Sequence, residues 1–536
     1  MLLQDAFLEW AAEHPDAEAL VCAGERLSYR DIDERSDALA ATLIARGVVR
    51  GDRVVVFMDN SCAAVIAIYA ALKAGAAMVP VNPLTKSEKL AFILEDAQAK
   101  AFLSDHHLWP AYGLALQTYT PSVIIVNGAD DRDRQWGAVA WAVATASAVC
   151  PAVPIIDQDL AAIIYTSGST GSPKGVMLTH LNMVSAARSV SSYLGLIASD
   201  RILCCLPLAF DYGLYQVLMG LTVGACVVLE RSFAFPAAVV KVVAEERVTV
   251  FPGVPTAFSI LLNHEGILDA HDCSHVRIIT NTAASLPPRH IERLKARFPQ
   301  ARIFSMYGLT ECKRVTYLPP EELERRPTSV GRGMPNEEVY LVDPEGHRLP
   351  PGSVGELVVR GSHVMRGYWR RPEETAQRLK PGLYLGEMVL YSGDIFRMDA
   401  DGYLYFVGRS DDIIKSRGEK VSPKEIENVL YGIPAILEAA VIGVDDEVLG
   451  QAVHAFVVVD AKAAITDRDV VRHCNEHLES YMVPRVVHIV SALPKTDTGK
   501  IRKTGLASLA RERIGEATNG MAGLKQPLKE EREYIR

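Results

Sequence analysis

The chain has 536 residues, of which 49% are hydrophobic and 23% are charged, and its formal net charge is −9 at pH 7. A chain of this length is too long for one hydrophobic core and predicts two or three domains. The negative net charge, without a basic stripe, argues against a nucleic-acid partner. The short basic cluster from Arg366 to Arg371 is interpreted as a solvated face, because Glu373 and Glu374 follow it.

Three features of the sequence bear on the cellular location of the protein: the N-terminus, the longest apolar stretch and the cysteines. Residues 1–10 carry acids where a signal peptide needs basic residues. The apolar stretch 62–81 contains Lys73, so we expect a core helix and a strand there and no membrane span. The nine cysteines are scattered without C-x-x-C spacing, which indicates neither zinc nor a disulfide framework. A reducing, cytoplasmic location is therefore expected.

Short β-branched runs alternate with helical patterns through the first four hundred residues, which predicts an α/β fold of mostly parallel sheets with helices on both faces. In chain order, the main predicted strands begin at residues 53, 160, 201, 248, 276 and 302, and predicted helices cover 63–73, 214–221 and 288–298. From about residue 330 to 408, short strands with frequent Gly and Pro predict a small β-barrel-like subdomain.

The composition changes again near residue 410, and this change predicts the domain boundaries. Residues 1–410 are expected to form a large N-terminal domain, and residues 411–515 a small α+β C-terminal domain. Residues 516–536 are polar and charged and are expected to form a tail.

The loop after the predicted strand 160–164 is the most informative segment. It combines hydroxyl side chains, glycines and Lys174, so backbone N–H groups can converge, hydroxyls add donors and lysine supplies a point charge. This pattern predicts a phosphate-binding site, although Pro173 before the lysine separates it from a Walker loop. A Ser/Gly-rich surface turn is the alternative. The predicted nucleotide contacts here are Thr166, Ser167, Gly168, Ser169, Thr170, Gly171 and Lys174.

This loop resembles the signature of the adenylate-forming superfamily, which includes acyl- and aryl-CoA synthetases, nonribosomal adenylation domains and luciferases. Further segments continue the resemblance in the expected order along the whole chain: residues 307–311 (YGLTE), 392–394 (SGD), 408–412 (GRSDD) and 494–500 (PKTDTGK). The resemblance implies an ATP-dependent, AMP-forming ligase whose large domain holds the ATP and acyl sites and whose small domain is mobile.

The resemblance also implies roles for individual residues of the large domain. Tyr307 lies against adenine, in the same nucleotide site as Ala283 and Ala284. Thr310 lies near phosphate oxygens, and Glu311 binds Mg²⁺, a hard cation that prefers oxygen ligands. In the same site, the Asp394 carboxylate accepts hydrogen bonds from the ribose hydroxyls.

Four more roles fall at the domain junction and in the small domain. Arg409 contacts ribose or phosphate, and Asp411 is the hinge residue. Lys500 swings into the site and stabilises charge shared by the carboxylate and the α-phosphate, as a protonated lysine can at neutral pH. Gly418 lines the channel for the thiol in the second half-reaction. The predicted catalytic set is Lys174, Thr310, Glu311 and Lys500.

The segment 207–213 resembles the acyl-pocket segment of the superfamily, and its Phe210-Asp211 pair resembles amino-acid adenylation domains, where this aspartate binds the substrate ammonium. A free carboxylate in an apolar pocket is costly unless a cation pairs with it. Two alternatives remain: Asp211 binds a substrate ammonium, or it pairs with Arg314. The positions predicted to line the pocket are Phe210, Asp211, Tyr212, Tyr215, Ile279, Asn281, Met306, Arg314 and Val315.

The chain further resembles stand-alone prolyl-AMP ligases in residues 307–320 and in the Phe-Asp-Tyr-Gly run. This implies a small amino or imino acid substrate such as proline, loaded on the phosphopantetheine of a free-standing carrier protein. The alternative is a ligase that joins a small non-amino acid to CoA. Two other readings are a nucleotide-binding protein without catalysis and a luciferase-like oxygenase, which shares the adenylation residues.

Overall fold

The alternating patterns of the first four hundred residues form two large sheets, each packed against helices. The computed structural model describes residues 1–146, 148–166, 173–263, 265–282, 286–409, 412–416, 419–446, 449–460, 463–495, 501–503, 505–507 and 509–510. The chain divides into two units, Met1–Phe406 and Val407–Arg536. The expected boundary at residues 410 and 411 stays a prediction, and both of these residues lie outside the described ranges.

The strands as far as β22, which contains the division between the units, are numbered here in chain order. They are β1 Glu18–Cys22, β2 Glu25–Ser28, β3 Arg53–Phe57, β4 Ala77–Pro80, β5 Ala101–Asp105, β6 Val123–Asn127, β7 Val139–Ala140, β8 Leu160–Thr166, β9 Lys174–Thr179, β10 Arg201–Cys204, β11 Cys226–Leu229, β12 Val250–Gly253, β13 Ile278–Asn281, β14 Arg302–Tyr307, β15 Thr316–Leu318, β16 Arg332–Gly333, β17 Glu337–Val342, β18 Val354–Gly361, β19 Gly367–Tyr368, β20 Leu379–Pro381, β21 Met388–Met398 and β22 Leu404–Arg409.

The helices of the first unit follow the same convention. They are α1 Asp5–Glu13, α2 Tyr29–Ala45, α3 Cys62–Lys73, α4 Ser87–Asp96, α5 Trp109–Thr118, α6 Asp131–Arg134, α7 Trp141–Ala144, α8 His180–Leu194, α9 Asp211–Thr222, α10 Pro236–Glu245, α11 Pro255–Asn263, α12 Glu265–Asp269, α13 Pro288–Arg297 and α14 Pro372–Arg378. Two short 3₁₀ helices, His106–Leu108 and Pro320–Glu322, are also present among the described residues.

Three sheets organise the first unit. A nine-stranded sheet has the order β16-β15-β14-β13-β12-β10-β11-β1-β2, and an eight-stranded sheet has the order β19-β9-β8-β4-β3-β5-β6-β7. Both are parallel at their centres and antiparallel at one or both edges. A third sheet joins β17, β18, β21 and β20, with β22 also paired to β21. The predicted α/β class, with mostly parallel sheets and a smaller β subdomain, is confirmed.

Alternate residues of the two large sheets belong to different hydrophobic clusters, which shows that both faces are buried. Val54 of β3 belongs to the cluster that the two large sheets share, whereas its neighbour Val55 packs with Phe102 on the other face. Ile202 and Leu203 of β10 divide in the same way. Successive strand residues point to opposite faces, so near-continuous apolar runs are what such doubly covered strands require.

The second unit is a small α+β domain. Its elements are β23 Ile414–Ser416, β24 Glu419–Val421, α15 Pro423–Leu430, β25 Ile436–Asp446, β26 Gly450–Val459, α16 Asp467–His477 and β27 Val486–Val490. The strands form one sheet in the order β24-β23-β26-β25, with β27 also paired to β26. Among the described residues, no helix combines the length and the apolar character that crossing a membrane requires.

Candidate active site

The predicted phosphate loop is framed by a β-hairpin. Strands β8 and β9 pair antiparallel, and the last pair of their register joins Thr166 to Lys174. The ladder therefore fixes both ends of the loop between them. Ser167, Gly168, Ser169, Thr170 and Gly171 lie outside the described residues, so their predicted contacts stay predictions.

Tyr368 connects the lysine of this hairpin to the predicted metal ligand. The Lys174 Nζ lies 5.7 Å from the centre of the Tyr368 ring. The Tyr368 hydroxyl donates a 2.7 Å hydrogen bond to Oε1 of Glu311. The main chain of β19 places this ring, since Tyr368 pairs with Val176 of β9. The structure thus brings Lys174 and Glu311 to a common neighbour.

Sequence reasoning missed Tyr368. The basic cluster 366–371 was interpreted as a solvated face, and this is correct only for part of it. Arg366 and Arg370 are exposed, but Gly367 and Tyr368 between them are buried because they form β19. The available sequence signal was the run of a glycine and two aromatic residues between the arginines.

A tight turn after β14 positions Thr310 and Glu311. The backbone N–H of Lys313 donates to the Leu309 carbonyl at 2.6 Å, which closes the turn. A Cβ added at Gly308 would lie 2.0 Å from the Lys313 carbonyl oxygen, so no larger residue fits there. The main-chain N–H of Met365 donates to the Glu311 carbonyl at 2.7 Å and anchors the turn from the other side.

The predicted adenine and ribose residues are in direct contact. The Tyr307 hydroxyl, at the end of β14, donates a 2.6 Å hydrogen bond to Oδ2 of Asp394 on β21. The Tyr307 ring meets Phe396 edge-on, with ring centres 4.9 Å apart. Burial and the Asp394 carboxylate raise the pKa of the Tyr307 phenol well above its usual value, which keeps it a hydrogen-bond donor.

Asp211 and Arg314 form a buried ion pair in the predicted acyl pocket. Asp211 is the first residue of α9, and its Oδ2 lies 3.8 Å from Nη1 of Arg314. The Arg314 guanidinium also lies over the Tyr212 ring, 4.5 Å from its centre. Of the two alternatives for Asp211, the structure therefore shows the pairing with Arg314.

The remaining predicted pocket residues lie in three different surroundings. Most of them belong to the hydrophobic cluster that the two large sheets share or pack against it: Phe210, Tyr212, Tyr215, Met306 and Val315. Ile279 belongs instead to a separate cluster with Phe251, on the opposite face of β13 from Ile278. Asn281 is buried at the end of β13. The roles of all these residues stay predictions.

Several predicted site residues cannot be placed with this group. Ala283, Ala284, Asp411, Gly418 and Lys500 lie outside the described residues. Arg409, the last residue of β22, is exposed and belongs to the second unit. Their assigned roles stay predictions.

Known proteins resemble this chain over most of its length. The AMP-binding enzyme family matches residues 7–369, and the AMP-binding enzyme C-terminal domain matches residues 425–500. The long-chain-fatty-acid–CoA ligase of Bacillus subtilis (strain 168) is 30% identical in an alignment 533 residues long that covers 94% of this chain and 94% of that enzyme. Tyrocidine synthase 3 of Brevibacillus parabrevis is 31% identical in an alignment 510 residues long that covers 94% of this chain and 8% of the synthase.

A solved structure agrees closely with this fold. The anthranilate CoA ligase AuaEII, in complex with anthranoyl-AMP, matches with a TM-score of 0.88 and 27% identity, covering 96% of this chain and 98% of that chain. The chain belongs to the AMP-binding enzyme family, the adenylate-forming enzymes, as the motifs predict. It is an AMP-forming acid–thiol ligase.

Proposed function

We propose that this enzyme is an acyl- or aryl-CoA ligase that adenylates a small carboxylic acid without an amine and transfers the acyl group to CoA. The ion pair between Asp211 and Arg314 carries this proposal. A buried carboxylate that already faces a guanidinium has a counter-ion and does not need a substrate ammonium. The full-length similarity to a protein named as a CoA ligase supports CoA as the thiol.

In the first half-reaction, an oxygen of the substrate carboxylate bonds to the α-phosphorus of ATP, and the bond from that phosphorus to pyrophosphate breaks. Lys174 stabilises the negative charge on the leaving pyrophosphate, and Lys500 that on the attacking carboxylate and the α-phosphate. Glu311, an oxygen ligand held by Tyr368 beside Lys174, fits a hard cation such as Mg²⁺. When bound, Mg²⁺ neutralises charge on the phosphate oxygens.

In the second half-reaction, the thiolate sulfur bonds to the acyl carbon of the adenylate, and the bond from that carbon to the AMP oxygen breaks. The acyl group leaves as a thioester and the phosphate oxygen of AMP retains the electron pair. Lys500 serves only the first step, so Lys500→Ala should abolish adenylate formation and spare thioester transfer from preformed adenylate. Equal loss of both half-reactions in Lys500→Ala would contradict the assignment of Lys500 to the first half-reaction alone.

An amino or imino acid such as proline, loaded on a free-standing carrier protein, is the second candidate. The similarity to tyrocidine synthase 3 and the resemblance of the Phe210-Asp211 pair to amino-acid adenylation domains favour it. In this case the substrate ammonium has to compete with Arg314 for the same carboxylate, which weakens the candidate relative to the first.

ATP–pyrophosphate exchange over a panel of acids tests the proposal. The panel contains short fatty acids, benzoates, proline and other amino acids, and active acids are then offered CoA or a holo carrier protein. We expect exchange with acids lacking an amine and a thioester with CoA. Exchange with one amino acid, lost in Asp211→Ala and retained in the surface control Asp16→Ala, would overturn the proposal in favour of the second candidate.

A further inference from the structure

Lys313 is a buried lysine that the proposed mechanism does not use. Only 1% of its surface is exposed. Within the described residues, its Nζ has no hydrogen-bond partner. An ammonium group in such a position loses its hydration without a compensating hydrogen bond, and buried lysines without a partner are therefore rare. A retained group of this kind calls for an explanation in terms of something that binds it.

The backbone of Lys313 is also in an unfavourable conformation. Its φ is +69°, in the left-handed region that side chains other than glycine seldom adopt. This conformation is unfavourable for a residue with a Cβ, because the Cβ comes close to the following carbonyl oxygen. Strain of this kind concentrates at binding and catalytic sites. The unfavourable backbone and the unpaired charge thus occur at the same residue.

Lys313 and Arg314 face the same side of helix α9. The Lys313 Nζ lies 5.2 Å from the centre of the Tyr215 ring, and the Arg314 guanidinium lies 4.5 Å from the centre of the Tyr212 ring. Tyr212 and Tyr215 are three residues apart and so share one helix face. Asp211, four residues before Tyr215, lies on that face too. The two cations are therefore neighbours above one surface.

The hydrogen-bond donors of this cluster are not all satisfied among the described residues. Among the described residues, Asp211 is the carboxylate that pairs with Arg314, and Lys313 is left without an equivalent partner. The Nε of Arg314 also lacks a hydrogen-bond acceptor there. The carboxylates of Asp211 and, more weakly, Glu311 act on the Lys313 ammonium through space, but neither accepts a hydrogen bond from it. The Lys313 ammonium and the Arg314 Nε–H are thus neighbouring cationic donors without an acceptor among the described residues.

We propose that Lys313 and Arg314 form a subsite for a second carboxylate on the substrate, so that the enzyme acts on small dicarboxylic acids. One carboxylate is adenylated, and the other binds the Lys313 ammonium and the Arg314 Nε–H with its two oxygens. A carboxylate matches adjacent cationic donors in charge and in its number of acceptor sites. This inference rests on the proposed ligase activity and specifies its substrate class.

Matched pairs of acids test the subsite. Pyrophosphate exchange is measured with malonate and propionate, succinate and butyrate, glutarate and pentanoate, and phthalate and benzoate. A buried polar site rejects an analogue that leaves its donors unpaired, so we expect kcat/KM for one diacid to exceed that of its partner by about 100-fold or more. In Lys313→Met this preference should fall by about 100-fold, and Lys313→Arg should retain part of it.

Controls separate the subsite from the ligase activity. Lys241→Met removes an exposed lysine of α10 and should keep the full preference for the diacid. Thermal unfolding of each variant reports whether it is folded.

Three outcomes would overturn the subsite. Exchange with monocarboxylic or amino acids alone would overturn the subsite but leave the proposed ligase activity intact. No exchange with any acid would overturn both. Equal loss of exchange with both members of a pair in Lys313→Met would also overturn it, since the lysine would then hold the reacting carboxylate.

Discussion

The hydroxyl of Tyr307 donates a 2.6 Å hydrogen bond to Oδ2 of Asp394, a residue 87 positions later in the chain. The ring assigned to adenine is thereby tied to the carboxylate assigned to ribose. The orientation of the carboxylate depends on the ring, and the ring is in turn held by Phe396. Binding of the base and of the sugar should therefore be coupled.

This coupling predicts that substitutions of Tyr307 and Asp394 are not additive. A hydrogen bond to a charged group contributes about 1.5–3 kcal/mol, so Tyr307→Phe should raise KM for ATP by about tenfold or more. Asp394→Ala, which removes the acceptor oxygens, should raise it further. The double variant should be no worse than Asp394→Ala, because that substitution has already removed the shared hydrogen bond. KM for ATP in pyrophosphate exchange measures this, and additive effects would contradict the coupling.

Tyr368 is predicted to be a positioning residue for Glu311. Removing its hydroxyl in Tyr368→Phe leaves the Glu311 carboxylate less well oriented toward Mg²⁺. We expect the Mg²⁺ concentration for half-maximal exchange to rise by about tenfold, the effect of one charged hydrogen bond. The matched control is Tyr119→Phe. It removes a hydroxyl that donates to the Ala99 carbonyl, and both of these residues are far from Glu311 and Tyr368 in the sequence. An unchanged Mg²⁺ dependence would show that Tyr368 is only structural.

We expect Lys313 to lower the stability of the fold, although it binds the second carboxylate in the proposed subsite. Burial lowers the pKa of its ammonium from 10.5 to about 8. Below pH 8 the folded and unfolded states both carry the proton, so the folded state bears the full penalty of about 3 kcal/mol. Between pH 8 and 10.5 the folded state releases its proton first, and the penalty disappears. Lys313→Met should therefore be more stable than the parent at pH 7, with a smaller gain at pH 10.

Urea unfolding at the two pH values checks this, with Lys241→Met as the exposed control. The ionisable groups around Lys313 do not account for the expected difference in stability between pH 7 and pH 10. The pKa values of Tyr215 and Cys312 lie well above their usual values because both are buried. Asp211 and Arg314 are already paired. A variant no more stable than the parent at pH 7 would contradict the prediction.

His180 should make the protein sensitive to mild acid. The residue is 1% exposed, and its Nδ1 accepts a 3.1 Å hydrogen bond from the Leu3 backbone N–H, which a protonated ring cannot do. Burial lowers its pKa from 6.5 to about 4. The unfolded state therefore binds a proton first, and about 3 kcal/mol of stability present above pH 6.5 is lost by pH 4.

The measurement is the free energy of unfolding in urea between pH 7 and pH 4. His180→Gln should show a shallower decline than the parent over this range. His347→Gln serves as the matched control because the side chain of His347 is 79% exposed. Parallel curves for the parent and for His180→Gln would show that this histidine does not carry the dependence.

The strands, the turn after β14 and the family could be predicted because their information is local. The run before Thr166 is apolar and β-branched, and the segment from Tyr307 to Glu311 is contiguous. Predicted strand starts at 53, 160, 201 and 302 agree with the starts of β3, β8, β10 and β14. At residues 248 and 276 the strands begin two residues later, because a β-branched residue precedes the paired segment.

The contacts that decide the chemistry could not be predicted in this way. Asp211 and Arg314 are 103 positions apart, and either of two partners for the aspartate was compatible with the sequence. Tyr368 reaches Glu311 across 57 positions. Lys313 was overlooked because a lysine next to an arginine usually lies on a surface, and only the packing against α9 shows that it is buried.

Strand β19 has a consequence for recombination between relatives. In the chain it lies between β18 and β21, which belong to the five-stranded sheet, yet its hydrogen bonds join it to β9 of another sheet. A crossover that exchanged the five-stranded sheet as one block would import a foreign Tyr368 against a native Lys174 and Glu311. Functional hybrids should therefore place their crossovers so that these three residues come from the same parent.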